Sequence, residues 1–332
     1  MCQYSSENGK ATDWHLVHLG SRAVGGAALV IMEATAVSPE GRISPQDMGL
    51  WSKAQVAPLK KITSFIKSQN SIPGIQIAHA GRKASTPRPW DTKHKIFVPL
   101  SNGGWTTLAP SEIPFSEGYP IPHALSLKEI DKLIVQWEKS AELAVQAGFE
   151  TLELHFAHGY LIHSFLSSLS NHRTDEFGGS LENRMRLAVQ IATRVRKVWP
   201  ADYPLFARLS STDWVEGGWD VPSSIELSKK LKSIGVDLID CSSGGLVPHA
   251  KIPVAAGYQV PFAEEIRKKA AVMTGAVGMI TDPHQAEEII ASGKADAVLM
   301  AREFLRTPYW PMNAAKVLNE EISYPPQYLR AR

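Results

Sequence analysis

Cysteine is nearly absent from this chain. Cys2 and Cys241 are the two in 332 residues, far apart and in no CxxC pattern. That argues against a disulfide scaffold, a zinc ribbon or a cysteine-ligated iron–sulfur cluster. An excess of one charge is missing too: 35 Lys and Arg stand against 33 Asp and Glu, a net +2. Bulk charge therefore offers no footing for nucleic acid or a membrane surface. No apolar run reaches membrane length and no signal-like leader opens the chain, so a soluble cytoplasmic protein is expected. A GxGxxG turn after a first strand, the mark of a doubly wound dinucleotide fold, is also lacking.

What is present is a regular alternation. Short apolar runs at 27–33, 72–78, 151–156, 204–210, 236–242, 270–276 and 296–301 read as strands. Most are almost wholly apolar, as parallel strands buried on both faces should be. Amphipathic segments at 13–25, 54–69, 126–147, 180–198, 222–234, 260–269, 282–292 and 308–318 read as helices between them. Ser126 with Glu129 forms a capping-box pattern, and Asp282-Pro283 an N-cap followed by proline in the first turn. Seven strands with eight helices imply an α/β fold, a (β/α)8 barrel of one domain over 1–332. The first strand is largely missing and would fall just before Met1. The stretch 84–124, rich in Pro, Gly, Ser and Trp, reads as a loop insertion after the barrel's third strand, at 72–78.

In such barrels chemistry collects where strands end. Glu33-Ala34-Thr35 follows one strand; Gln76, His79, Arg82 and Lys83 lie around the end of the next. His155, His158 and Tyr160 follow the strand at 151–156, Arg208 lies on 204–210, and Ser242 leads into Gly244-Gly245. Gly275, Gly278 and Arg302 stand where these barrels commonly bind phosphate through backbone N–H groups. An inward Arg208 must be paired or face a ligand, because an unpaired buried charge is costly. For His155 and His158 three readings stand: metal ligands, hydrogen-bonded core histidines, or donors to a carbonyl oxygen with Tyr160 as acid. A metal would need a third ligand. Glu153 is read as facing the helix layer and His163 as lying on the next helix, so no metal is expected, and the third reading is favoured.

The segments "MCQYSSENGK", "EATAVSPEGRIS", "GIQIAHAGRKA", "LELHFAHGYLIHSFLSSLSNHRTDEFGGSLENR", "DLIDCSSGGL", "TGAVGMIT" and "PPQYLRAR" together resemble the Old Yellow Enzyme family. The likeness is to its bacterial xenobiotic-reductase-like NADPH dehydrogenases, and it covers essentially the whole chain. The resemblance implies bound FMN, with Met1, Cys2, Ala34, Gln76, Arg208 and Ser242 about the isoalloxazine ring and Gly278, Ala301 and Arg302 at the phosphate. Family members more often have Gly where Ala301 stands. The resemblance also implies NADPH as reductant and ping-pong reduction of the activated C=C bonds of enones, enals, maleimides or nitro compounds. His155 and His158 would hold the substrate carbonyl, Tyr160 would give the proton, and Tyr4 would contact substrate from the other side. Lys83 or Arg82 would meet NADPH phosphates. Arg330, in a C-terminal tail at 320–332, would reach a neighbouring subunit of a homodimer or homotetramer. Family members carry residues before the position of Met1 that supply most of the first strand. Two rival readings are a cofactor-free barrel lyase or isomerase using Lys83, and a truncated remnant that binds flavin weakly.

Overall fold

The computed structural model describes residues 1–93 and 95–331. Its main sheet has seven strands among the described residues, all parallel. These are β1 (Leu29–Ala36), β2 (Ile72–Ala78), β5 (Thr151–Phe156), β6 (Leu205–Ser210), β7 (Leu238–Ser242), β8 (Met273–Ala276) and β9 (Ala297–Val298), neighbours in that order. Two further short strands, β3 (Leu108–Ala109) and β4 (His123–Ala124), pair with each other inside the 84–124 stretch. The connecting helices are α1 (Asp13–Val24), α2 (Val56–Ser68), α3 (Leu127–Gln146), α5 (Leu181–Val198), α6 (Val221–Ile234), α7 (Val260–Ala270) and α8 (Pro283–Ala291). Short α4 (Leu161–Leu166) and α9 (Arg302–Arg306) and the final α10 (Trp310–Leu318) complete the set. None is long and apolar enough to cross a membrane.

The caps explain several boundaries. Ser126 accepts from Glu129 N at the start of α3, and Asp282 from Gln285 N at the start of α8. β1 begins two residues later than the apolar run suggests because Ala27 N is turned back onto Arg22 O, closing α1. It runs on to Ala36 because Ala36 N donates to Met48 O while Ala36 O accepts from Leu50 N. β9 shrinks from an expected six residues to two. It lies at the sheet's edge, paired through β8 alone.

β1 and β9 are the two edges, with no strand between them among the described residues. The sheet curls, because residues of both edges and of the central strands line one cavity of about 520 Å³. Leu29 and Ile31 from β1 border it, with Ala297, Val298 and Leu299 from the β9 side. These are half-buried, whereas every residue of β5 and β7 is buried. One continuous core packs the helices against the outside of the sheet.

One expectation is overturned. Glu153 does not face the helices: Gln76 Nε2 donates to its Oε1 at 2.6 Å, and Glu153 lines the cavity with Gln76 and Arg208. Residues two apart on a strand share a face, so Glu153 had to point the same way as His155.

Candidate active site

The segment after β5 is built on two consecutive left-handed residues, His158 (φ 61°) and Gly159 (φ 73°). Gly159 is required twice over, since a Cβ there would come within 2.2 Å of Gly245 O. The loops after β5 and β7 therefore touch backbone to backbone, and Lys83 bolts them together. Its Nζ donates to His158 O and to Gly245 O, each at 2.9 Å, and lies 4.5 Å from the centre of the Phe115 ring. His158 N donates to Ser210 Oγ (2.9 Å), which donates in turn to Gly244 O (2.8 Å). The turn that carries His158 is thus fixed from three sides.

The three side chains singled out from the sequence meet. The His155 and His158 rings are 5.0 Å apart, and those of His155 and Tyr160 are 5.1 Å apart, both edge to face. His158 Nε2 lies 2.7 Å from Ser242 Oγ, while His155 Nδ1 is buried without a hydrogen-bond partner among the described residues. Burial holds both imidazoles neutral, pushing their pKa values well below the usual histidine range, with the Arg208 charge adding to the effect. Burial pushes the Tyr160 phenol well above its ordinary range, with Cys2, Tyr4 and Asp47 contributing in the same direction. Neutral donors thus stand beside a fully protonated phenol.

His163 has other work. It sits in α4, accepts from Gly159 N at Nδ1 (2.8 Å) and places Nε2 3.0 Å from Asp213 Oδ1, both side chains fully buried. Ser167 Oγ and Trp219 N complete the Asp213 shell at 2.7 Å each. This network pins the helix behind Tyr160.

Of the other residues singled out, Met1, Gln76, Arg208 and Ala301 border the large cavity. Ala34 and Tyr160 share a small separate recess with Asp47 and Ala78. Tyr4 stands edge-on to Trp90. Cys2 is half-buried, its thiol pushed up by burial and by Asp47 and Glu33, so it is no thiolate. Arg302 opens α9 as an exposed side chain, and Arg330 is exposed in a final 3-10 turn, Pro326–Ala331. Tyr328 of the same turn lies 3.2 Å, hydroxyl to hydroxyl, from Tyr309. Arg82 is buried and donates to Leu246 O at 2.8 Å. Two of the three Lys83 Nζ hydrogens are thus spent on backbone carbonyls, and Arg82 is likewise turned onto backbone.

Sequence reasoning missed Asp240, 3.3 Å from Arg208, and Asp47, fully buried near the N-terminal segment. The signal for Asp240 was a charge inside the apolar strand "LIDCS". Asp47 lies in a loop and gave none.

The cavity suits a planar, polar-edged cofactor. Arg208 Nε is buried without a partner among the described residues, and Gln76, its Nε2 held by Glu153, lines the same cavity wall. Next to Val277, which lines the same cavity, Gly278 adopts φ 127°, and a Cβ there would sit 2.9 Å from Gln259 Nε2 and 3.0 Å from the Tyr258 ring. Gln259 and Tyr258 thus pack directly against this backbone, which glycine alone allows.

Comparison with known proteins agrees with this geometry. The NADH:flavin oxidoreductase / NADH oxidase family matches residues 1–321. An NADPH dehydrogenase of Bacillus subtilis (strain 168) is 48% identical over 99% of this chain and 92% of its own length. Among solved structures, a 2-naphthoyl-CoA reductase complex superposes with a TM-score of 0.86 at 26% identity. That match covers 96% of this chain, which spans about half (49%) of the larger reductase. The old yellow enzyme homologue from Zymomonas mobilis gives a TM-score of 0.75 at 28% identity, covering 96% of this chain and 88% of its own. The chain belongs to the NADH:flavin oxidoreductase / NADH oxidase family, the Old Yellow Enzyme family, and is an FMN-dependent oxidoreductase.

Proposed function

We propose that this FMN enzyme takes its electrons from NADPH and reduces activated C=C bonds of enones, enals, maleimides and nitro compounds, in two half-reactions at one site. The observation that carries the reading is the cluster of neutral His155, neutral His158 and protonated Tyr160 beside Arg208. Reduced flavin supplies the hydride that goes to the substrate β-carbon. His155 and His158 donate hydrogen bonds to the substrate carbonyl oxygen, which drains charge from the double bond and makes the β-carbon electrophilic. Tyr160 gives the proton that completes the α-carbon, and water restores it. Tyr4 contacts the substrate from the other side.

Arg208 and Gln76 hold the polar edge of the ring system, with Ala34, Met1, Cys2 and Ser242 around it. Gly278, Ala301 and Arg302 hold the phosphate. Lys83 serves this site as a clamp that fixes the left-handed His158 turn. The seven strands correspond to the second to eighth strands of a (β/α)8 barrel, the place of the first lying between β1 and β9. The 84–124 stretch shapes the substrate pocket, and Arg330 completes the site of a neighbouring copy in a homodimer or homotetramer. The test is spectroscopic. Purified protein, or protein reconstituted with FMN, should be yellow, bleach with NADPH and recover colour with 2-cyclohexenone. Protein that stays colourless after reconstitution overturns the reading.

A further inference from the structure

The cavity floor holds more charge than the proposed reaction uses. Glu153 is 1% exposed and Asp240 0%, one carboxyl from β5 and one from β7. Strand register sets Gln76 beside Glu153 and Arg208 beside Asp240. Gln76 Nε2 donates to Glu153 Oε1 at 2.6 Å, and Arg208 Nη1 lies 3.3 Å from Asp240 Oδ2. Glu153 Oε2 and Asp240 Oδ1 are buried with no donor from another group among the described residues, and the two carboxyls lie within hydrogen-bonding reach of each other. Two ionised carboxyls against one guanidinium would leave a buried, uncompensated negative charge, which is strongly disfavoured. One proton between the two carboxyls removes that charge and supplies the donor those oxygens lack.

We propose that Glu153 and Asp240 are a carboxyl pair sharing one proton, and that this proton sets how much of the Arg208 charge reaches bound flavin and so sets its reduction potential. Neither carboxyl touches substrate or cofactor in this scheme; both are positioning residues acting through Arg208. The inference rests on the reading that Arg208 meets the flavin ring.

Burial and the neighbouring Asp240 push Glu153 up to about 8; burial raises Asp240 as well, with Arg208 and Glu153 pulling it part of the way back. Because Arg208 lies against Asp240 at 3.3 Å, the shared proton rests on Glu153 and Asp240 neutralises part of Arg208. When Glu153 ionises, a second negative charge appears beside Arg208. Two-electron reduction adds negative charge to the ring, so that ionisation must lower the potential.

Other groups face the same space. From the N-terminal side come Glu33 and the Met1 amino group, and from α1 His18 and Arg22. Cys241 stands next to Asp240, and its thiol is pushed well up by burial. His155 is the register partner of Arg208, and His158, His163 and Lys83 lie within electrostatic reach of it. His18, His155 and His158 stay neutral through this range, but Glu33 is pushed to about 7 and Lys83 down to about 8. Those two also titrate, so variants must isolate the pair.

The experiment is the flavin midpoint potential of the FMN-loaded protein from pH 6 to 9.5. It is measured against a reference dye for wild type, Glu153→Gln and Asp240→Asn. Gln copies the shape of a protonated Glu, so Glu153→Gln should match wild type at pH 6.5 and lack part of its extra fall above pH 8. In Asp240→Asn, Glu153 is left as the lone carboxyl against Arg208 and ionises, so the potential at pH 7 should stay within about 30 mV of wild type, under a tenfold change for a two-electron couple, and part of the extra fall above pH 8 should be lost. A Glu153→Gln curve superimposable on wild type throughout, or Asp240→Asn keeping the whole of the wild-type fall above pH 8, overturns the inference. If a variant fails to fold, a wild-type curve with no extra fall between pH 7 and 9 overturns it as well. Apo-protein separates this from the broader reading. Its thermal stability should fall less from pH 7 to 9 in Glu153→Gln than in wild type, whether or not FMN binds, and equal slopes refute the shared proton.

Discussion

Tyr160→Phe removes one oxygen and should separate the two half-reactions. The hydroxyl makes no hydrogen bond among the described residues, and the ring packs edge-on to His155. Deleting it therefore strands no buried partner, and stability should change by under about 1 kcal/mol, a Tm shift within ~4 °C. The catalytic loss should be far larger. A positioned general acid is worth ~10²–10⁴-fold, about 2.7–5.5 kcal/mol at 1.36 kcal/mol per tenfold. Because burial holds the phenol protonated well beyond its ordinary range, the loss should be flat from pH 6 to 9. Stopped-flow reoxidation of NADPH-reduced enzyme by 2-cyclohexenone should slow by that factor, while flavin bleaching by NADPH stays within about twofold of wild type. Equal slowing of both half-reactions, or no slowing of the first, would refute Tyr160 as the proton donor.

Thermal stability of the apo-protein should fall as pH rises from 6.5 to 8. Glu33 and Asp47 are both pushed by burial to about 7, above their unfolded values near 4. The folded state then holds more protons than the unfolded one, and the stability present at low pH is lost as pH climbs through 7. Asp47→Asn should flatten that limb in a series of melts. Below pH 6.5 the opposite sign enters: His15 and His79, each held down to about 4 by burial, disfavour folding as they protonate. Lys83→Met removes two charge-assisted hydrogen bonds, each worth ~1.5–3 kcal/mol, from a half-buried site. A loss of about 2–3 kcal/mol in urea unfolding is expected, with a raised KM for enone as the His158 turn loosens. Gly278→Ala forces a side chain onto φ 127° against Gln259. FMN affinity by fluorescence quenching should weaken about tenfold, and an unchanged affinity would remove Gly278 from the phosphate site.

The sequence by itself determined the parallel α/β class, the order of strands and helices, and the cluster His155, His158 and Tyr160. Those features are local. Apolar runs of strand length, capping residues such as Ser126 and Asp282, and a short turn after β5 are written in adjacent residues. It also held the parity that puts Glu153 on the face of His155, a period-2 rule that decides the point without coordinates. What only the tertiary structure decided lies between strands. Whether Lys83 meets a ligand or bolts two loops depends on Gly245, 162 positions away. Whether Arg208 stands alone depends on Asp240, brought beside it by parallel register alone. The extent of β9 depends on its having a single neighbour. Charge in a closed interior is set by what the curl of the sheet gathers, and no spacing along the chain encodes that.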